Sequence, residues 1–475
     1  MWRLQQKRKT KIVCTLGPAS RGETLPRLLE AGMDVARLNF SHGSQEEHGR
    51  LIKTLRQLAQ EQNHPLAIMQ DLSGPKIRIG RFEKGQVELQ KGQKFTLTSA
   101  AVVGNQEKVS VGSPELVSEA PLGAQIFLQD GLITLAVENK TTNSLHCRVV
   151  EGGNLRSRVG VNLPEYSLSI SALTSKDQED LKFGAEMGVD FIALSYVRQA
   201  REVLQVKELA RSWGSDIPVI AKIEKHESLS NLSDILKAAD GLMVARGDLG
   251  VEVPLEQVPL IQKQIIREAN RVGKPVITAT QMLLSMVNNP RPSRAEATDV
   301  ANAILDGTDA VMLSEETAIG RYPEEAVRFL DKLARAAEAS FPYKEWLQAR
   351  APEPRATIED AISFAACALA NDLEAAAIIT STNSGATARL ISRFRPRTPL
   401  IGVSSRKATW RQLSLTWGVF PLETSELRDT EHMVKVVEER ATEVGWLSKG
   451  EKVVITAGTP FGKRGVTNFI KADII

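Results

Sequence analysis

Eight short, β-rich apolar runs recur along the chain, at 10–16, 33–40, 65–72, 189–196, 217–224, 241–247, 275–280 and 309–314. Between or after them lie stretches with apolar positions at helical spacing: 45–60, 175–187, 200–213, 255–271, 294–305 and 323–339. Strands apolar on nearly every position belong to a parallel sheet buried on both faces. Eight strand–helix units predict an α/β fold of the (β/α)8 TIM barrel type. The pattern by itself leaves an open doubly wound sheet as the alternative.

One connection breaks the rhythm. Between Leu72 and Ser175 the texture changes to short strand-like runs at 87–89, 94–97, 125–128, 133–137 and 145–150, punctuated by Gly and Asn turns. These predict a small β-barrel inserted after the third strand, over 73–166, with the catalytic barrel formed by 1–72 and 167–341. The loop after a barrel strand opens on the face that carries barrel active sites, so the insertion reads as a lid. Beyond Phe341, Pro342, Pro352 and Pro354 mark a linker. Alternation then resumes: helix 357–373, strand 375–380, helix 387–394, strand 400–403, helix 431–444 and strand 452–457. This predicts a C-terminal α/β regulatory domain over 342–475.

Composition narrows the class. A chain of 475 residues exceeds one ordinary core. Hydrophobic content of 42% and charged content of 25% suit a soluble globular protein. Sixty Lys and Arg against 57 Asp and Glu leave +3, which makes no case for nucleic acid or membrane as a partner. Cys14, Cys147 and Cys367 are scattered and odd in number; they read as reduced thiols in a cytoplasmic protein. The basic start is not followed by an apolar core, and no apolar run approaches the ~20 residues that span a bilayer.

Chemistry gathers at the predicted strand ends. Lys222 and Glu224 are two apart in an extended run, so their side chains share a face. Asp248 ends the next run. Two carboxylates converging beside a fixed ammonium suit a divalent metal, Mg²⁺ above all, and an anionic substrate. Gly247 allows close backbone approach, and the turn from Gly247 to Gly250 offers amides to a carboxylate. Arg37 adds fixed positive charge. Asn39, Ser41, His42, Asp71, Ser195, Thr280 and Glu315 fall at other strand ends on the same predicted face. Taken alone, these residues imply metal-assisted chemistry on a small phosphorylated or carboxylated substrate.

A resemblance carries further. The runs at 10–20 (TKIVCTLGPAS), 36–43 (ARLNFSHG), 71–78 (DLSGPKIR), 221–224 (AKIE), 243–250 (MVARGDLG), 278–283 (TATQML) and 294–303 (RAEATDVANA) resemble, in order, those of the pyruvate kinase family. The resemblance implies phosphoryl transfer from phosphoenolpyruvate to ADP, giving pyruvate and ATP. It implies that Lys222 stabilises the phosphoryl group and the enolate oxygen. Glu224 and Asp248 would hold Mg²⁺, for which Mn²⁺ substitutes, and Arg37 would bind the phosphoryl group. The amides of Gly247 and Asp248 would bind the substrate carboxylate, with Thr280 acting in enolate protonation. Arg78, Lys176 and His42 match nucleotide-side positions. Arg246 then reads as support behind Asp248. A homotetramer is implied as well. The alternative is a phosphoenolpyruvate or pyruvate barrel lyase or aldolase, which needs neither the inserted domain nor Arg78 and Lys176.

Departures from the family pattern matter. Asn39, Ser41 and Asp71 match ligands of a K⁺ site, but Leu72 stands where the family has Thr, and Lys76 where it has Glu. An ammonium near that site replaces the cation's charge, so the expectation is an enzyme that works without K⁺. Glu316 stands where a small residue is usual, with no role readable from sequence. In the C-terminal domain, Ser381, Thr382, Asn383, Ser384, Gly385 and Thr387 link a strand to a helix. Hydroxyls and a Gly there form either a phosphate cradle or an ordinary capped turn. The family often binds a phosphorylated effector at this place, so activation by a sugar phosphate or nucleoside monophosphate is expected, lost on Ser384→Ala with Thr387→Ala. The basic loop 459–465 would close over it, and Trp410 would pack against it or fill the core.

Overall fold

The eight apolar runs become eight parallel strands: β1 (Lys11–Leu16), β2 (Val35–Asn39), β3 (Ala67–Asp71), β4 (Phe191–Leu194), β5 (Val219–Ile223), β6 (Gly241–Ala245), β7 (Val276–Ala279) and β8 (Ala310–Leu313). They pair in chain order, and β1 pairs with both β2 and β8, which closes the barrel and removes the open-sheet alternative. The structure is a computed structural model and describes residues 4, 7–351, 357–425, 430–458 and 467–475. Loop 459–465, expected to close over an effector, lies outside the described residues. Strand β6 stops two residues short of its apolar run because Arg246–Glu252 winds into a helix at once.

Helices start where side chains can cap them. Ser44 with Glu47, Thr174 with Asp177, Ser293 with Glu296 and Thr357 with Asp360 form reciprocal capping boxes. The barrel has two cores. Outward-facing strand residues and the surrounding helices make one, including Ile12, Leu38, Ile192, Ala221 and Ile265. Inward-facing residues make the other, including Val13, Val35, Met69, Ile220, Met243 and Met312. Leu415 of the C-terminal domain joins this inner cluster at 1% exposure. Its neighbours Ser414 and Trp417 bond to Pro65 and Asp309, which precede β3 and β8, so Leu415 plugs the end where the strands begin.

The insertion packs around its own core, with Phe95, Leu97, Ile126, Leu135 and Val149 buried. The expected small barrel takes the form of a six-stranded sheet and a two-stranded ribbon. Residues Arg78, Ile79 and Phe82 reach the rest of the insertion through isolated bridges. The C-terminal domain is a five-stranded sheet in the order Val419–Glu423, Leu400–Ser404, Ala377–Ser381, Lys452–Ala457, Phe469–Ile474, the last strand antiparallel. The two outer strands are missing from the sequence expectation. The first carries Pro421, tolerated only because it lies on an edge. Cys14, Cys147 and Cys367 are free and buried. Among the described residues no helix is long and apolar enough to cross a membrane.

Candidate active site

The alternation that fills the barrel with Val13, Val35, Met69, Ala193 and Ile220 continues to Thr15, Arg37, Asp71, Ser195 and Lys222 at the other end. The interior thus turns polar where the strands finish. Lys222 Nζ donates to Ser195 Oγ at 2.7 Å and pairs with Asp71 Oδ1 at 3.2 Å and Glu224 Oε1 at 2.9 Å. Asp71 also receives Arg37 Nε at 2.6 Å, and Arg37 Nη1 donates to Thr15 Oγ1 at 2.7 Å. Burial would discharge Lys222, but Asp71 and Glu224 outweigh it and raise the ammonium pKa above its ordinary value. Asp71 is pushed up by burial and more strongly down by Arg37 and Lys222, so it lies below the usual carboxylate range. A buried charge survives only with such partners.

Glu224 and Asp248 meet at the same mouth. Glu224 Oε2 accepts the Tyr196 amide at 2.7 Å. Asp248 Oδ1 pairs with Lys76 Nζ at 2.9 Å and accepts from the Tyr196 hydroxyl at 3.3 Å. Burial, and then the charge of Asp248, raise the Glu224 pKa against the pull of Lys222. Asp248 is held low by Lys76 and Lys222 in spite of burial. Two carboxylates close enough to perturb each other, with no donor reaching Asp248 Oδ2 among the described residues, suit a hard divalent cation with oxygen ligands.

Backbone strain gathers at the same place. Tyr196, Thr280 and Gln281 have φ of 56°, 68° and 57°. A β-branched residue such as Thr280 rarely adopts this conformation. Its hydroxyl accepts the Gly247 amide at 2.9 Å. A Cβ on Gly247 would lie 3.6 Å from Thr280 Oγ1, so the protein itself leaves room there. Arg246 turns to Asp299 at 2.7 Å and to the Thr280 carbonyl at 2.7 Å.

The other anticipated residues are placed as follows. Asn39 Oδ1 accepts the Ser41 amide at 3.1 Å, and the Leu72 carbonyl accepts Ser195 Oγ at 2.8 Å. Lys76 was expected beside these K⁺-site positions; its ammonium instead pairs with Asp248, because the chain crosses the barrel mouth at the base of the insertion. Arg78 is exposed and donates to the Arg158 carbonyl at 3.1 Å. Lys176 is half exposed, bonded to the Phe40 carbonyl at 2.7 Å and to Asp180 at 2.5 Å. The His42 side chain is exposed, and its carbonyl accepts His48 Nε2 at 2.8 Å.

Glu316 acquires a role that sequence did not supply. It is 1% exposed and accepts the amides of Leu283 at 3.0 Å and Ser314 at 2.7 Å. It ties the segment after β7 to the end of β8. Sequence reasoning also missed Tyr196, which touches both metal-side carboxylates, and a cluster that joins His226 and Glu227, just after Glu224, to Glu252 of the helix after β6. Glu252 is neutralised by Lys225 at 2.6 Å and reached by Asn162 of the insertion at 2.8 Å. The spacing of Lys225 and His226 behind Glu224 was the available signal. In the C-terminal loop, Thr382 and Thr387 are buried and Gly385 has φ 79°. Thr387 Oγ1 lies 2.8 Å from Thr467 Oγ1, while the Asn383 carbonyl accepts Thr409 Oγ1 at 2.8 Å. Ser381 and Ser384 are half-buried, and so is Trp410.

Comparison with known proteins adds to this geometry. The family model described as pyruvate kinase, barrel domain, matches residues 7–327, and that described as pyruvate kinase, alpha/beta domain, matches 360–472. A pyruvate kinase of Geobacillus stearothermophilus is 48% identical over 473 residues, 99% of this chain and 81% of the relative. Pyruvate kinase 2 of Synechocystis sp. is 48% identical, covering 98% of this chain and 79% of the relative. A pyruvate kinase of Staphylococcus aureus is 45% identical, covering 98% and 80%.

Proposed function

Because the chain belongs to the pyruvate kinase family, we propose that Lys222, Arg37, Glu224 and Asp248 are the working centre of its reaction. That reaction is phosphoryl transfer from phosphoenolpyruvate to ADP, giving pyruvate and ATP. The lyase or aldolase alternative is not favoured, since both domain models match in order along the chain.

The observation that carries the assignment is the Lys222 ammonium, held between Asp71 and Glu224 at the top of the barrel. Phosphoryl transfer asks mainly for positioning and charge neutralisation, with little covalent work for side chains. A lysine kept charged in a buried site supplies positive charge to the phosphoryl group and then to the enolate oxygen. Arg37, anchored by Asp71 and Thr15, presents a fixed guanidinium to the phosphoryl oxygens. Glu224 and Asp248 would hold Mg²⁺, or Mn²⁺ in its place, which when bound neutralises the substrate carboxylate and phosphate. The amides of Gly247 and Asp248, at a helix N-terminus, receive the carboxylate. Thr280, whose hydroxyl meets the Gly247 amide, serves enolate protonation. Arg78, Lys176 and His42 form the nucleotide side, all exposed at the mouth.

A coupled pyruvate assay with and without ADP and Mg²⁺ tests the reading. Wild type requires both, and Lys222→Met lowers kcat by about 10³-fold or more. Pyruvate release without ADP, or a Lys222→Met enzyme within tenfold of wild type, refutes it.

The chain works without K⁺ in this reading. Of the K⁺-site positions Asn39, Ser41, Asp71 and Leu72, the Asn39 Oδ1, both Asp71 carboxylate oxygens and the Leu72 carbonyl already have a donor in hydrogen-bond reach, and Lys76 adds a fixed ammonium at the mouth. In buffer free of K⁺ and NH₄⁺ the rate should stay within a few-fold of its value in 100 mM KCl, a concentration of order that of ordinary assay salt. A rise of orders of magnitude on adding K⁺ sinks the idea. The loop at Ser381, Thr382, Asn383, Ser384, Gly385 and Thr387 remains the candidate seat of a sugar phosphate or nucleoside monophosphate activator. A cytoplasmic homotetramer is part of the same reading, supported by the family and by three buried free thiols.

A further inference from the structure

Tyr196 stands two residues past the end of β4, and its backbone is left-handed, with φ 56°. A bulky side chain rarely takes this conformation, which persists only where the surroundings over-determine it. Three contacts do so here. The Tyr196 amide donates to Glu224 Oε2 at 2.7 Å, and its hydroxyl donates to Asp248 Oδ1 at 3.3 Å. The ring is packed against the segment that leads into the insertion. A Cβ on Gly74 would lie 2.7 Å from the ring's Cδ2 and 2.9 Å from Ser195 Cβ. Gly74 has φ 65° as well, so a side chain there would be strained and would strike the ring.

One residue thus bridges two strand ends. Glu224 follows β5, and Asp248 lies in the first turn of the helix Arg246–Glu252 after β6. Each carboxylate is held by particular oxygens. Glu224 Oε1 faces Lys222 at 2.9 Å, and Oε2 takes the Tyr196 amide. Asp248 Oδ1 takes both the Tyr196 hydroxyl and Lys76 Nζ, the latter at 2.9 Å. A carboxylate with one oxygen fixed by two donors cannot turn freely, so Oδ2 is aimed as well. Amide and hydroxyl belong to one buried, clamped side chain and its own backbone, so the spacing between the two carboxylates is set by a rigid body.

We propose that Tyr196 is a positioning residue that holds Glu224 and Asp248 at a spacing that favours Mg²⁺ relative to Ca²⁺. The proposal rests on the assignment of these two carboxylates as the metal ligands. Mg²⁺ demands near-ideal octahedral geometry at about 2.0–2.1 Å, whereas Ca²⁺ accepts looser arrangements at about 2.3–2.6 Å. A rigid frame therefore matters more to the smaller ion. Groups that orient metal ligands typically carry about 10–100-fold in affinity. The Tyr196 hydroxyl shares Asp248 Oδ1 with Lys76, which puts its effect at the lower end of that range. A charge effect of the lost donor would act on both dications alike; a loss of positioning separates them.

Direct metal binding to the full-length protein, without substrate, tests it. Free Mn²⁺ is followed by electron paramagnetic resonance, and Mg²⁺ and Ca²⁺ are measured by competition against it. Tyr196→Phe, which removes only the hydroxyl, should raise the Mg²⁺ dissociation constant about tenfold and that of Ca²⁺ by less than about threefold. Partial unfolding cannot mimic this, since it lowers both affinities in proportion. A ratio of the two constants within about twofold of wild type overturns the proposal, whether neither ion or both are weakened, and so does tighter Mg²⁺ binding. Asp248→Asn tests the ligand assignment separately and should weaken Mn²⁺ about tenfold or more. Unchanged Mn²⁺ binding in that variant overturns the assignment and the positioning role with it. Mn²⁺ weakened in Asp248→Asn, with the ratio unmoved in Tyr196→Phe, overturns the positioning role alone.

Discussion

Charged residues in the barrel mouth are held in pairs, and the pairing decides what each can do. Lys222 stays protonated because Asp71 and Glu224 outweigh its burial; Asp71 stays ionised because Arg37 and Lys222 do the same for it. Glu316 is a different case. Burial raises its pKa, although the backbone amides of Leu283 and Ser314 donate to it. Glu316→Ala strands the Leu283 and Ser314 amides in a buried place, and should cost about 1–3 kcal/mol in urea unfolding. A change below about 0.5 kcal/mol, the scatter of a surface substitution, would remove its bracing role. The sequence marked Lys222, Glu224 and Asp248 through spacing alone. It marked Glu316 only as a departure without a role, and Tyr196 not at all, because their partners lie on other strands and no local pattern announces them.

At the scale of elements, helices carry site residues to the mouth by the way they pack on the strands. The helix Ser175–Glu186 holds Lys176 in its first turn and Gly184 near its end. A mid-helix glycine reads as a defect in sequence. Here a Cβ at Gly184 would run into the Gln70 amide of β3, whose Nε2 donates to the Asp180 carbonyl at 2.6 Å. Gly184→Ala should therefore destabilise by about 1–3 kcal/mol in place of the gain expected for an exposed helix. A stabilised variant in chemical denaturation would refute the close packing. Apolar positions at helical spacing made the barrel helices legible, and buried apolar runs did the same for the barrel strands. Edge strands such as Phe469–Ile474 were not legible, since polar alternation in a short segment looks like loop.

At the scale of the molecule, the C-terminal domain completes the floor of the barrel. Leu415 joins the inner core, and Lys9 and Lys11 bond to carbonyls of Arg397 and Val419 across the junction at 2.5 and 2.6 Å. Burial lowers both ammonium groups from 10.5 to about 8. Between those values the unfolded chain binds more protons than the folded one, so unfolding free energy from these groups rises with pH. Below pH 8 their unfavourable contribution is constant; above 10.5 it is gone. Compared with Lys11→Met, wild type should gain stability as pH rises from 8 toward 10, measured by denaturant midpoints. A flat or opposite difference would show that Lys11 stays fully charged when folded.

What the sequence determined by itself was local and periodic. Alternation fixed which strand positions face the barrel interior, helical spacing of apolar residues located the barrel helices, and Lys222 with Glu224 were placed on one face by the two-residue repeat. Ordered motifs then tied those positions to a family. Tertiary structure alone decided closure of the sheet, the shift of Lys76 onto Asp248, the bracing role of Glu316, the strain at Thr280 and the reach of Tyr196 to Glu224 and Asp248. Each of these joins residues far apart in the chain. Burial and Coulomb interaction depend on distances that only the folded chain sets, and no sequence period encodes them.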